Sequence, residues 1–165
     1  MDWEGRGSGL RRDTHVIFGI GVAVVVGRWL GCPLSCIVYA AGANILMHPL
    51  IDTLGHEKDW FRGGVRRHMA THSLLGSTLV ALTFLVPARA VLSAGEWEPF
   101  GGYVSAVPLL LSAWSHLLLD AFNPSGVYFL GRRVSLRVAR YDSPVLNLLF
   151  QLLGVALIVY GLTAH

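Results

Sequence analysis

The stretch PVLNLLFQLLGVALIVYGLTA, residues 144–164, contains no charged residue and is long enough to cross a lipid bilayer as one helix. A transmembrane helix needs about 20 predominantly apolar residues, with about 17 as the lower limit. Four other apolar segments of comparable length precede this stretch, at residues 15–31, 33–51, 69–92 and 102–122. The sequence therefore predicts an all-α polytopic membrane bundle with about five transmembrane helices.

The composition of the whole chain agrees with this interpretation. Of its 165 residues, 53% are hydrophobic and only 14% are charged, and the mean hydropathy is +0.55. An ordinary soluble domain carries roughly 25% charged residues, and a disordered chain carries more. Both classes are therefore disfavoured, and the length suits one integral membrane domain covering residues 1–165.

Basic residues set the expected orientation. If the chain has five spans, the N-terminal tail and the second and fourth connections lie on one side of the membrane. Those regions hold eleven basic residues, and the other side keeps Arg28 and Arg89. The positive-inside rule then places the N-terminus in the cytoplasm and the C-terminus outside. The competing interpretation is a secretory signal, because Arg11 and Arg12 precede an apolar run.

Six of the seven histidines fall near the expected cytoplasmic ends of the first four segments. Asp52 with His56, His68 with His72, and His116 with Asp120 are pairs of metal-ligating residue types spaced four apart, a spacing that places both side chains on one helix face. Ionisable groups in a membrane are costly and usually have partners. The convergence predicts a metal site, and its candidate ligands are His15, Asp52, His56, His68, His72, His116 and Asp120.

Single members of this set also have simpler explanations. His116 and Asp120 alone would suit a hydrogen bond within a helix, and His68 could belong to a basic interfacial collar. His48 precedes Pro49, which can kink or end a helix, and a structural role is favoured for it. Asn123 could face the site or cap a helix. Nitrogen and oxygen ligands without thiolate suit a divalent metal, with zinc first and manganese or iron as alternatives, as one or more ions.

These residues resemble the motifs of the YdjM-like membrane-bound metal-dependent hydrolases, including their archaeal branch. The resemblance covers about residues 14 to 147, and the pieces quoted for it lie between Thr14 and Gly126. They are Thr14-His15, Asn44, Asp52-Thr53-Leu54-Gly55-His56, Arg67 with Thr71-His72-Ser73, and His116-x-x-x-Asp120-x-x-Asn123-x-x-Gly126. The His-x-x-x-Asp element is also distantly similar to that of zinc-dependent phospholipase C and P1-type nucleases.

The resemblance implies a membrane-embedded hydrolase, and we expect a phosphoesterase acting on a lipid or another interfacial substrate through a metal-activated water. Asp52 or Asp120 would act as general base, and Arg67 would stabilise developing negative charge. Arg66, Asn123 and Ser73 are the candidate substrate-binding residues. The expected partners are membrane lipid and an anionic headgroup or phosphoester substrate.

Two other functions compete with this hypothesis. The cluster could be a structural or transport metal site in a non-enzymatic membrane protein. A metalloprotease is disfavoured because His56-Glu57 begins the zinc-protease motif but lacks its second histidine. Nucleic-acid binding is not expected, since the basic residues flank apolar segments. The sequence does not specify the oligomeric state.

Overall fold

A computed structural model describes residues 10–59, 64–67, 70–91, 99–137 and 143–163, with backbone alone for 56–59, 64–67, 89–91 and 99–105. The chain is mainly helical. In order, its elements are α1 (Arg12–Trp29), α2 (Leu34–Gly55), β1 (His56–Asp59), β2 (Gly64–Arg67), α3 (Leu74–Thr83), α4 (Leu85–Val91), α5 (Pro99–Ala121), β3 (Val127–Phe129), β4 (Arg132–Val134) and α6 (Pro144–Thr163). The expected all-α class is confirmed, with two short hairpins added.

Helix α1 lies at the centre of the bundle. It packs against α2, α5 and α6, while α5 also contacts α2 and α3. The main apolar core lies between α2, α3 and α5 and includes the fully buried Met47, Ile51 and Leu109. Because α1, α2 and α5 all meet in this way, polar side chains at the same level on these three helices are brought together.

Helix α6 approaches α1 through small residues and turns its large side chains outward. A Cβ atom on Gly21 would lie 2.6 Å from the carbonyl oxygen of Gly154, so glycine permits this close backbone contact. Leucines on the other faces of α6, such as Leu148 and Leu152, are more than half exposed. An apolar surface of this kind is expected where a helix faces lipid.

The expectation of five transmembrane spans is not supported. Among the described residues, α2 and α6 are the helices long and apolar enough to cross a membrane, and shorter apolar helical stretches cover Leu74–Ala88 and Ala106–Ala121. Helix α1 carries Arg12, Asp13 and Arg28 at its ends, which shortens its apolar length. Apolar composition predicted the helices, but it overestimated how many have the length and hydropathy of a span.

The third apolar segment, expected as one helix over 69–92, is divided in two. Helix α3 begins after Ser73, whose hydroxyl accepts a hydrogen bond from Gly76 N at 3.0 Å. A side-chain oxygen in this position is a typical helix N-cap. The break at Phe84 has a cause in Pro87, which has no N–H to donate to the carbonyl of Thr83.

Two antiparallel hairpins, absent from the predicted fold, connect the helices. The β1–β2 hairpin follows α2 directly and pairs His56 with Arg67. The β3–β4 hairpin follows α5 and is tied to the segment before α3, where Tyr128 N donates to the carbonyl oxygen of His72 at 2.8 Å. The β3–β4 hairpin therefore fixes the loop that carries His72.

Cys32 and Cys36 are buried in a separate apolar cluster with Ile37 and Ala88. Burial, with a smaller contribution from Cys36, raises the pKa of the Cys32 thiol. The thiol therefore remains protonated at neutral pH and is a poor metal ligand. This agrees with a metal site built from nitrogen and oxygen alone.

Candidate metal centre

Three helices and one loop bring six ionisable side chains to one level of the bundle. His15 comes from the first turn of α1, His48 and Asp52 from α2, and His116 and Asp120 from α5. His72 comes from the loop before α3. The four histidines and Asp120 are at most 4% exposed, whereas Asp52 is 32% exposed. The cluster is thus buried and reaches the surface at Asp52.

Asp120 and His116 lie at the centre of this cluster. Oδ2 of Asp120 is 3.3 Å from Nε2 of His116 and 3.5 Å from Nε2 of His72, and its Oδ1 is 3.2 Å from Nε2 of His15. Oδ1 of Asp52 is 3.5 Å from Nε2 of His116 and 3.7 Å from Nε2 of His72. The separations fall in a narrow range and all involve ring Nε2 atoms.

These separations fit a metal site. Ligand atoms in a tetrahedral site lie about 3.3–3.6 Å apart, given metal–ligand bonds of about 2.0–2.2 Å. Two overlapping sets have ligand atoms within 4.8 Å of one another, namely His15, His116 and Asp120, and Asp52, His72 and His116. The buried His/Asp cluster could therefore hold a metal ion, with His116 common to both sets.

The orientation of the imidazoles supports the same conclusion. Nδ1 of His15 donates to the carbonyl oxygen of Arg11 at 3.1 Å, so in the neutral ring Nε2 carries a lone pair that faces Asp120. Nδ1 of His72 contacts Thr71 Oγ1 at 3.2 Å. Metal-binding histidines characteristically engage one ring nitrogen in this way and present the other to the ion. Two lone pairs that face each other need a cation or a proton between them.

His48, for which the sequence favours a structural role, is a member of the cluster. Its Nδ1 lies 2.6 Å from Nδ1 of His116, and helix α2 continues past Pro49 to Gly55. The Nε2 atoms of His48 and His116 are buried and have no hydrogen-bond partner among the described residues. The four-residue step from His48 to Asp52 was the signal that could have identified it.

Close packing at the end of α2 positions His72. A Cβ atom on Gly55 would lie 2.2 Å from Thr71 Oγ1 and 2.3 Å from the ring of His72. Gly55 therefore leaves the space that these two side chains occupy. The end of α2 thus contributes a carboxylate, from Asp52, and the space at Gly55 into which His72 packs.

Two asparagine side chains hydrogen-bond to Asp120 and to the start of α1, next to His15. Asn123 Nδ2 donates to Oδ1 of Asp120 at 3.0 Å, and its own Oδ1 accepts from Leu10 N at 3.1 Å. Asn147 on α6 accepts from Arg11 N and from the hydroxyl of Thr14. The start of α1 is therefore fixed beside His15 by Asn123, which follows α5, and by Asn147 on α6. Asn123 contacts the site, which is one of the two roles that the sequence predicts for it.

The structure brings together five of the seven predicted metal ligands: His15, Asp52, His72, His116 and Asp120. His68 lies outside the described residues. The side chains of His56, Arg66 and Arg67 also lie outside them, although their backbone forms the β1–β2 hairpin between Asp52 and His72. Ser73, predicted to bind substrate, caps α3 with its hydroxyl.

A comparison with known protein families identifies a family for this chain. The sequence model for the family described as YdjM inner membrane protein matches residues 10–163, nearly the whole chain. Neither the curated proteins nor the solved structures provide a match. The family assignment confirms the membrane class, whereas hydrolase activity, an archaeal branch and a likeness to P1-type nucleases stay predictions. The chain belongs to the YdjM inner membrane protein family.

Proposed function

We propose that this protein is a membrane-embedded metal-dependent hydrolase, and specifically a phosphoesterase for a lipid or another interfacial substrate. The observation that carries the proposal is the convergence of His72, His116 and His15 on Asp120 inside an apolar bundle. These residues would hold a divalent cation, which would supply Lewis-acid catalysis and lower the pKa of a nearby water towards neutrality.

The cluster divides into buried groups suited to hold the cation and one partly exposed carboxylate, Asp52, suited to transfer protons. His116 and Asp120 contact most of the other members and are almost fully buried. Asp52 lies at the open edge, where substrate and water can enter. Its carboxylate would take the proton from the attacking water and return it to the leaving alkoxide, as a general base and then a general acid.

The same end of the bundle carries the basic hairpins. Arg66 and Arg67 lie on β2, between the helix that holds Asp52 and the loop that holds His72. An arginine here would donate two parallel hydrogen bonds to two oxygens of a phosphate and stabilise developing negative charge. Positive charge at this end also supports a cytoplasmic site and an outward C-terminus. A reporter fused to the C-terminus that signals from the cytoplasm would contradict that orientation.

The proposal is tested on the full chain purified in detergent. We expect elemental analysis to find a bound divalent metal and a screen of lipid phosphomonoesters and phosphodiesters to find hydrolysis. A chelator should abolish turnover, and zinc, manganese or iron should restore it. Bound metal without hydrolysis would favour the structural or transport alternative. A chain that binds no metal, with turnover insensitive to chelation, would overturn the proposal.

We also expect His48 to control metal affinity through the ring orientation of His116. His48→Phe removes the partner of His116 Nδ1 and should weaken metal binding by about 10- to 100-fold. In His48→Gln an amide oxygen can still accept from His116 Nδ1, so affinity should recover in part. Competition titration against a chromogenic chelator measures both variants. Equal affinity in the wild type and His48→Phe would show that His48 has only a packing role.

A further inference from the structure

An apolar groove lies beside the His/Asp cluster, between α3, α5 and the β3–β4 hairpin. Its volume is about 390 Å³, within the range of small-molecule sites. Ser73 and Tyr128 line one side of the groove, and Trp114 on α5 lines another. Tyr128 N donates to the carbonyl oxygen of His72 at 2.8 Å, so this side of the groove adjoins the loop that carries one of the cluster histidines.

The lining of the groove suits a hydrocarbon chain. Leu75 contributes to one side and is 71% exposed. Two of its polar groups are hydrogen-bonded to each other, because Trp114 Nε1 donates to Thr78 Oγ1 at 2.9 Å. A ligand rich in polar atoms would find few partners there, whereas an acyl chain needs none.

The turn at the rim of the groove gives a second, independent indication of lipid. Leu130 and Gly131 join β3 to β4 with φ angles of +47° and +78°, so both lie in the left-handed region. Asn, Asp and Gly are the usual residues of such a turn, and leucine is unusual. Leu130 is also 87% exposed. Local backbone geometry and water both disfavour leucine at this tip, but contact with membrane lipid favours it.

We propose that this groove seats an acyl chain of the substrate, so that the substrate class is a long-chain lipid phosphoester with its headgroup at the His/Asp cluster. This inference rests on the proposed hydrolase function. The chain would lie along Leu75 and Trp114, and the ester phosphate would reach the cluster past Ser73. Activity should therefore depend on the acyl chain as well as on the phosphate.

The test compares Leu75→Trp, which fills the groove, with Leu152→Trp, which adds the same ring to the lipid-facing side of α6. Both full-length variants are assayed with a long-chain diacylglycerol phosphate and with glycerol phosphate. We expect Leu75→Trp to lower kcat/KM for the long-chain probe by roughly tenfold or more. The ratio of kcat/KM for the long-chain probe to that for glycerol phosphate should therefore fall in Leu75→Trp and stay at the wild-type value in Leu152→Trp. Equal effects on the two probes would overturn the groove assignment.

A binding experiment separates this inference from the proposed function. A diacylglycerol phosphate with a photoreactive group at its chain end should label the 73–78 and 127–131 segments. Excess long-chain lipid phosphate should suppress the labelling, glycerol phosphate should not, and Leu75→Trp should abolish it. Saturable labelling without any hydrolysis would reject the hydrolase while retaining the lipid site. Labelling that is spread over α6 and is not suppressed by competitor would identify bulk lipid and reject the groove.

Discussion

His116→Ala is expected to remove both metal and activity from the purified protein. His116 is the residue shared by the two candidate ligand sets, and its Nε2 faces Asp52 and Asp120 at 3.5 and 3.3 Å. Without the imidazole, a cation bound by these two carboxylates would lose its nitrogen ligand from His116. Losing a metal that contributes several kcal/mol to transition-state stabilisation would lower turnover by roughly a thousandfold. Elemental analysis and phosphoesterase assays measure the two effects.

The matched control is Leu118→Ala, on the same helix but 53% exposed and therefore directed away from the cluster. It should retain metal and turnover. Helical content and elution volume in detergent should match the wild type for both variants, which separates a lost site from a lost fold. A His116→Ala protein that binds metal and turns over normally would reject the metallohydrolase.

The sequence could predict the helices because an apolar segment of membrane length has few other stable conformations. Residues 15–31, 33–51, 102–122 and 144–164 all contain helix. The third segment differed because Ser73 and Pro87 act through local hydrogen bonding, which average hydropathy does not register. The number of spans was overestimated for a similar reason, since an apolar average hides charged ends such as those of α1.

The sequence could predict the members of the candidate site that are spaced four residues apart or lie near the expected cytoplasmic ends of the helices. That spacing identified His116 with Asp120, and the expected level in the membrane brought in His15 and His72. It failed for His48 because the neighbouring Pro49 suggested a helix end, whereas α2 continues. The groove was also missed. It depends on the β3–β4 hairpin pairing with Ser73 at the start of α3, a tertiary contact that no periodic pattern in the sequence encodes.

Asp120→Asn is expected to be nearly as damaging as His116→Ala, although it changes one atom. Asn123 Nδ2 donates to Oδ1 of Asp120, so the new amide must place its oxygen there to avoid opposing two donors. The NH2 group then occupies the position of Oδ2. In the wild type, Oδ2 lies 3.3 Å from Nε2 of His116 and 3.5 Å from Nε2 of His72. A donor would point into the space between the two rings, where a cation needs lone pairs.

The variant should therefore fold but bind metal at least about a hundredfold more weakly, with turnover falling in parallel. Asp13→Asn is the matched control, because it makes the same chemical change at an exposed position in the first turn of α1. Calorimetric titration of the metal-free proteins measures affinity, and thermal unfolding in detergent reports folding. If Asp120→Asn and Asp13→Asn bound metal equally well, the cation would have to lie away from Asp120. The convergence of three imidazoles on that carboxylate would then reflect hydrogen bonding alone.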